Sequence, residues 1–137
     1  MFFVQNVSLP GVLVATLCSM LLGMVWYNPH VFGTYWSQLT GITCEKGSTC
    51  FKHSMLTGLV ATFLSTYFLA VLLAISGTAS LADAAFMAGL VWLAGSMPNE
   101  LSKVAWQKSP INLFAINASH TLLGLMVASA VLMQWPG

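Results

Sequence analysis

Apolar residues dominate four long stretches of the chain, and polar residues gather in the segments between them. The stretches cover about residues 7–28, 54–76, 81–101 and 112–135. A helix needs about 20 predominantly apolar residues to cross the hydrocarbon core of a bilayer. The pattern therefore predicts an all-α integral membrane protein, a four-transmembrane-helix bundle that forms a single domain over residues 1–137.

Composition excludes several classes of protein. Hydrophobic residues make up 58% of the 137 residues, charged residues make up 5%, and the mean hydropathy is +0.84. A soluble domain is not expected at these values. The chain has no Arg, and its four Lys are scattered as Lys46, Lys52, Lys103 and Lys108. Nucleic acid is therefore not an expected partner, whereas the lipid bilayer is.

The Lys residues also predict an orientation. In a four-helix arrangement, the loop after the first stretch and the loop after the third lie on the same side of the membrane, and these two loops contain all four Lys. Loops rich in Lys and Arg are retained in the cytoplasm. We therefore expect the Lys-bearing loops in the cytoplasm and both termini outside.

Two cysteines lie in the first Lys-bearing loop. Cys44 and Cys50 are separated by five residues, and His53 follows. Free thiols are expected on the reducing side of a membrane, and a disulfide would need the opposite orientation or an unusual compartment. The spacing matches no standard zinc pattern and a fourth ligand is missing. We expect neither a metal nor another cofactor, and the sequence leaves the two thiols free, bridged or metal-bound.

Small residues recur every fourth position in the first stretch, at Gly11, Ala15, Ser19 and Gly23. They form one stripe along a helix, which we call the α1 stripe. Within lipid, such stripes let two helix backbones approach closely and gain van der Waals contact. The α1 stripe is predicted to pack against another helix, which belongs either to the same chain or to a second protomer.

The segment between Pro29 and Gly41 has the pattern of an interfacial helix. Phe32, Tyr35 and Trp36 lie on one helical face with Leu39, and polar residues mostly occupy the other face. A short amphipathic helix lying on the membrane surface after the first span is expected.

The Gly-x-Val-Trp pattern occurs in the first and third stretches, at Gly23–Trp26 and Gly89–Trp92. The repeat hints at an internal duplication of two helices. Trp26 falls where the interfacial belt of aromatic residues is expected. Trp92 falls near the middle of its stretch, where packing between helices is expected instead.

Polar residues at membrane depth are the candidate site, because they are costly there unless they have a role. They converge on the cytoplasmic ends of the first, third and fourth helices, and are Tyr27, Asn28, His30, Asn99, Glu100, Asn117 and His120. His120 is the deepest, about 12 Å above Asn112 at 1.5 Å per residue. Pro98 is expected to open the third helix beside Glu100.

Three interpretations of this polar cluster remain open. Asn117 and His120 share a helix face and could hydrogen-bond between helices. The cluster could instead form a polar pocket, open to the cytoplasm, that binds a small ligand or passes protons. Coordination of a metal or haem by His30, His120 and Glu100 is disfavoured, because His30 lies too close to the surface.

The run from Gly23 to Gly41 resembles a family of small bacterial membrane proteins catalogued as domain of unknown function 1761. The positions that carry the resemblance are Gly23, Trp26, Tyr27, Pro29, Phe32, Gly33, Trp36, Leu39 and Gly41. The stretch from Asn112 to His120 resembles the start of that family's last helix. The resemblance implies a four-helix protein of the bacterial inner membrane and supplies no agreed activity.

The sequence contains packing patterns but no catalytic pattern. No nucleophile and base, and no cluster of metal ligands, stand at a useful spacing, so an enzyme is not expected. The first hypothesis is a structural or assembly subunit that forms a homo-oligomer or joins other membrane-protein subunits. The alternative is a small-solute or proton-coupled transporter or binder that uses the polar pocket facing the cytoplasm.

Overall fold

The structure is a computed structural model that describes residues 7–45 and 47–135. Every regular element in these ranges is helical. The elements are α1 (Leu9–Trp26), a first π-turn (Pro29–Gly33), α2 (Thr34–Thr40), α3 (Thr49–Ile75), α4 (Leu81–Val91), a second π-turn (Trp92–Ser96), α5 (Met97–Trp106) and α6 (Ile111–Leu132). Lys46, which contributes to the orientation prediction, lies outside the described residues.

Four helical segments are long and apolar enough to cross a membrane, judged by length and composition. They are Leu9–Trp26, Thr49–Ile75, Leu81–Trp106 and Ile111–Leu132, and they correspond to the four predicted stretches. The second begins earlier than its apolar stretch because Ser48 caps it. The Ser48 hydroxyl oxygen accepts a hydrogen bond from the Phe51 backbone N–H at 3.1 Å, which satisfies one of the free donors in the first turn.

The regular α-helix of the third apolar segment is interrupted next to Pro98, as the sequence predicts. Pro98 has no N–H to donate, and its ring would clash with the carbonyl of Ala94 in a regular helix. The helix widens into a π-turn just before Pro98, where the Met97 N–H donates to the Trp92 carbonyl five residues earlier. α4 and α5 are therefore two helices joined by a π-turn.

The interfacial segment is also built from two pieces. The first π-turn precedes α2, and α2 ends at Gly41, whose φ of +72° is readily adopted only by glycine. The single amphipathic helix expected over this segment is therefore shorter than the pattern suggested. α2 packs against the beginning of α6, where the Asn112 side-chain amide donates to the Tyr35 hydroxyl at 2.6 Å.

α6 is the central helix of the arrangement. It packs along α1, α4 and α5, and α1 also packs along α3, whereas α3 and α6 contact each other over a much shorter length. Small side chains occupy the closest approaches, with Ala15, Ala84 and Ala88 fully buried and Ala128 2% exposed. Close approach of these helices gains van der Waals contact, which is the main attraction between helices in lipid.

The α1 stripe faces α6 of the same chain. A Cβ atom at Gly11 would lie 2.8 Å from the Cβ of Trp135, just beyond α6. The Ser19 hydroxyl donates to the Gly124 carbonyl at 3.4 Å, and Ala15 is fully buried. The α1 stripe was predicted to pack against a helix of the same chain or of a second protomer, and in the structure it packs against a helix of the same chain.

Two tryptophans hold α6 from two sides. The Trp26 indole N–H donates to the Ile116 carbonyl at 3.1 Å, and the Trp92 indole N–H donates to the Ala118 carbonyl at 2.9 Å. These acceptors are two residues apart, about 200° around the helix. Trp92 lies between helices as expected. Trp26, expected in the interfacial belt, is half-buried and bonds to α6 as well.

Replacement of Trp92 by Phe should destabilise the protein, because the ring remains apolar while the bond to α6 is lost. The lost hydrogen bond should lower the free energy of unfolding by about 0.6 kcal/mol, and at most ~1.7 kcal/mol, the range for hydrogen bonds between helices in lipid, and the smaller Phe ring adds a loss of packing. Unfolding in mixed micelles measures it. Trp106→Phe is the matched control, because Trp106 is 86% exposed. Equal stabilities of the two variants would contradict the role given to Trp92.

Candidate functional site

The turn after α1 is closed by a glycine and an asparagine. The Asn28 side-chain oxygen accepts from the His30 backbone N–H at 2.9 Å, and the Asn28 carbonyl accepts from the Gly33 N–H at 2.9 Å. A Cβ at Gly33 would collide with the Tyr27 carbonyl oxygen. Only glycine therefore allows the chain to fold back so tightly at this point.

This turn brings two aromatic rings back onto the end of α1. The Phe32 ring lies 4.7 Å from the Trp26 ring, and the Trp36 ring meets the Tyr27 ring edge to face at 5.9 Å, both measured between centroids. Such tilted contacts are favourable for aromatic pairs. The contacts restrict the orientations of Trp26 and Tyr27, and both side chains reach α6.

Tyr27, Asn117 and His120 form the centre of the candidate site. The Tyr27 hydroxyl donates to the Asn117 side-chain oxygen at 2.7 Å. The edge of the Tyr27 ring contacts the His120 imidazole, with 5.0 Å between centroids. The Nε2 atom of His120 is buried and has no hydrogen-bond partner within the part of the chain that the structure describes. It lies beside Gly23, where a Cβ would come within 3.2 Å.

A crevice opens beside His120 between α1, α3 and α6. Its volume is about 170 Å³. It exists because α3 and α6 diverge while α1 contacts both. Its polar lining residues are Ser19, Thr62, Ser65, Thr66, His120 and Thr121. The other lining residues are small or apolar and belong to α3 and α6. We call this space the His120 crevice.

The hydroxyl groups of the His120 crevice are largely bonded to the protein. Thr66 donates to the Thr62 carbonyl at 2.8 Å, Thr121 donates to the Asn117 carbonyl at 2.9 Å, Ser19 donates to the Gly124 carbonyl, and Thr62 approaches the Met20 sulfur at 3.5 Å. Bonds from Thr to a carbonyl of its own helix are common in membrane helices. These four residues line the crevice all the same.

The structure places the other candidate residues differently. Asn28 caps the first π-turn, and His30 and Asn99 are exposed. Glu100 forms an ion pair with Lys103 at 2.9 Å. The opening expected beside Glu100 is a π-turn, and the crevice lies instead between α1, α3 and α6. Within residues 7–45 and 47–135, no three His, Cys, Asp or Glu side chains are grouped to hold a metal ion.

Sequence reasoning missed most of the crevice lining. Thr62, Ser65, Thr66 and Thr121 were not among the candidate residues. Thr62, Ser65 and Thr66 stand three and four residues apart, so they share one face of α3. That polar face in an otherwise apolar helix is the signal that could have identified the crevice.

The loop between α2 and α3 contains a disulfide bond. Cys44 and Cys50 are paired, with their Cα atoms 5.7 Å apart, where free thiols were expected. The chain reverses between them through a turn in which the Glu45 carbonyl accepts from the Ser48 N–H at 3.1 Å and from the Ser48 hydroxyl at 2.6 Å. This local turn brings the two sulfurs together.

Comparison with known proteins gives one family. The family model described as Protein of unknown function (DUF1761) matches residues 10–133. No curated protein and no solved structure matches the chain. The match includes both the turn after α1 and the first half of α6, which the structure brings into contact through Trp26 and Tyr27.

Replacement of Gly23 by Ala should displace the His120 imidazole, because the added methyl group would stand 3.2 Å from Nε2. The cost expected for such overpacking is about 1–3 kcal/mol in unfolding free energy. Chemical shifts of the His120 ring, together with thermal unfolding, measure both effects. Gly124→Ala is the control, because nothing lies within 4 Å of a Cβ there. Unchanged His120 shifts in Gly23→Ala would contradict the contact.

Proposed function

The chain belongs to the family described as Protein of unknown function (DUF1761), and we propose that it is an integral membrane protein that binds a small solute in the His120 crevice. In this proposal the four long helices span a bacterial inner membrane as a bundle, and α2 lies at the membrane surface. The Lys-bearing loops face the cytoplasm and both termini face outside, as the positive-inside rule predicts.

The observation that carries the proposal is the buried Nε2 atom of His120, which has no hydrogen-bond partner in the described residues. A buried polar group left without a partner costs about 1–3 kcal/mol. Within hydrocarbon, a titratable side chain without a partner is retained where it has a function. Tyr27 and Asn117 bond to each other and supply no partner for Nε2, and the His120 side chain lines the crevice.

The volume of the crevice limits the size of the solute. An apolar cavity of about 150 Å³ accommodates benzene, and a water molecule occupies about 30 Å³ of liquid. The His120 crevice, at about 170 Å³, therefore has room for one molecule with a six-membered ring or for a short chain of waters. The solute is smaller than a nucleotide or a sugar phosphate.

The first hypothesis, a structural or assembly subunit, remains a prediction and would need a surface other than the α1 stripe. That stripe is occupied by α6 of the same chain. The exposed apolar face of α3, with Leu56, Val60, Leu64 and Phe68, is where a second copy or another subunit would pack. Transport, rather than binding alone, would also require a second copy, because four helices are few for alternating access.

The binding proposal is tested by His120→Leu. Benzene, pyridine and phenol serve as probes of suitable volume, and calorimetry with protein in lipid nanodiscs measures their binding, with empty nanodiscs as the blank. Wild-type protein should bind at least one probe, and His120→Leu should lose the binding with little change in melting temperature, since Nε2 makes no hydrogen bond to be lost.

His30→Leu is the matched control, because His30 is exposed, and it should bind like the wild type. Two results would overturn the proposal. One is that no probe binds above the blank. The other is that His120→Leu binds every probe as well as the wild-type protein does.

The proposed orientation is tested at Cys44 and Cys50. A cytoplasmic loop stays reduced in living cells, so that the disulfide found here would form on oxidation. In a Cys18→Ala background, N-ethylmaleimide should label both thiols in intact cells, and a sulfonated maleimide that does not cross membranes should label neither until the cells are opened. Failure of N-ethylmaleimide to label them without a reductant, or labelling of intact cells by the sulfonated reagent, would place the loop outside.

A further inference from the structure

The chemistry of the crevice lining points to a class of solute. We infer that the His120 crevice selects an uncharged molecule that donates hydrogen bonds through an O–H or N–H group. This inference rests on the proposed function, and it adds the chemical character of the solute to the size limit given above.

The first argument is the direction of the hydroxyl hydrogen bonds. A Ser or Thr hydroxyl has one proton to donate and two lone pairs that accept. Ser19, Thr66 and Thr121 line the crevice, and their protons are directed at backbone carbonyls, so only their lone pairs are available to a solute. A solute that only accepts hydrogen bonds finds no donor at these three positions.

The second argument concerns charge. No Asp, Glu, Lys or Arg lines the crevice among the described residues. A cation buried at membrane depth without a carboxylate loses its hydration without an opposite charge in return. An anion would meet the lone pairs of three hydroxyl oxygens. An uncharged donor avoids both costs.

The third argument is the versatility of His120. A neutral imidazole has one N–H donor and one nitrogen acceptor, and its Nε2 is the buried atom of the site without a partner. His120 also lines the crevice, so its imidazole can accept a hydrogen bond from an O–H or N–H group of a solute. Ser65 also lines the crevice and is exposed, so the crevice is open at this side chain.

The experiment compares four probes on wild-type protein in lipid nanodiscs: phenol, pyridine, benzene and benzylammonium. Phenol donates a hydrogen bond, pyridine only accepts, benzene does neither, and benzylammonium donates but is charged. Phenol should bind about three- to tenfold more tightly than pyridine, the factor that one neutral hydrogen bond supplies. Benzylammonium should bind more weakly than phenol.

Thr121→Val and Thr66→Val should reduce the preference for phenol over benzene several-fold while leaving the affinity for benzene unchanged. Retained benzene binding shows that the variant still folds and keeps its crevice. Thr16→Val is the matched control, because the buried Thr16 hydroxyl donates to the Val12 carbonyl at 2.7 Å in the same way but lies outside the crevice lining. It should preserve the preference of the wild-type protein.

The outcomes separate this inference from the proposed function. Binding of pyridine or benzylammonium as tight as that of phenol, or a preference for phenol unaffected in both Thr variants, overturns the inference and leaves binding in the crevice intact. Absence of binding by all three uncharged probes overturns the proposed function, and the inference falls with it.

Discussion

Polar groups on helices apolar enough to cross a membrane must find partners inside the protein wherever hydrocarbon surrounds them, because hydrocarbon offers none. This constraint explains most of the side-chain bonds around α6. The indoles of Trp26 and Trp92 reach its carbonyls, and the Tyr27 hydroxyl reaches Asn117. His120 is the exception in the described part of the chain, since its buried Nε2 has no partner. The proposed function starts from that exception.

The irregular turns position the side chains that meet α6. A regular helix continued past Tyr27 would carry Phe32 and Trp36 away from α1, whereas the first π-turn folds them back onto Trp26 and Tyr27. Gly33 makes this turn possible because it has no side chain. The second π-turn begins at Trp92 itself and absorbs the disturbance caused by Pro98. Both irregularities therefore lie next to a tryptophan that bonds to α6.

The His120 crevice results from the way α1 and α4 pack closely on α6 while α3 does not. The small residues of the α1 stripe bring α1 against α6, and Ala84 and Ala88 bring α4 against α6. α3 packs mainly on α1 and diverges from α6. The crevice is the space left by that divergence, and hydroxyl side chains line it on both walls. The protons of Ser19, Thr66 and Thr121 are bonded to backbone carbonyls, which leaves the lone pairs of these hydroxyls as acceptors.

The sequence by itself determined the features that depend on local pattern. The four apolar helices follow from the length and composition of the stretches, the break before α5 follows from Pro98, and the end of α2 follows from Gly41, because these effects act over one or two helical turns. The family followed from a motif that is contiguous in sequence, from the end of α1 through the first π-turn to the end of α2. Tyr27, Asn117 and His120 were candidates because polar residues are rare at membrane depth.

Only the tertiary structure decided which surfaces meet. A stripe of small residues does not indicate which helix it packs against. The contact of the α1 stripe with α6 is therefore known only from the packed structure. The position of Trp26 near the end of a span did not indicate that its indole N–H would bond to a carbonyl 90 positions away. The disulfide between Cys44 and Cys50 depended on a turn that the spacing alone did not specify. The crevice depended on the divergence of α3 from α6, because a space between helices is a property of their relative positions, which no local pattern of residues contains.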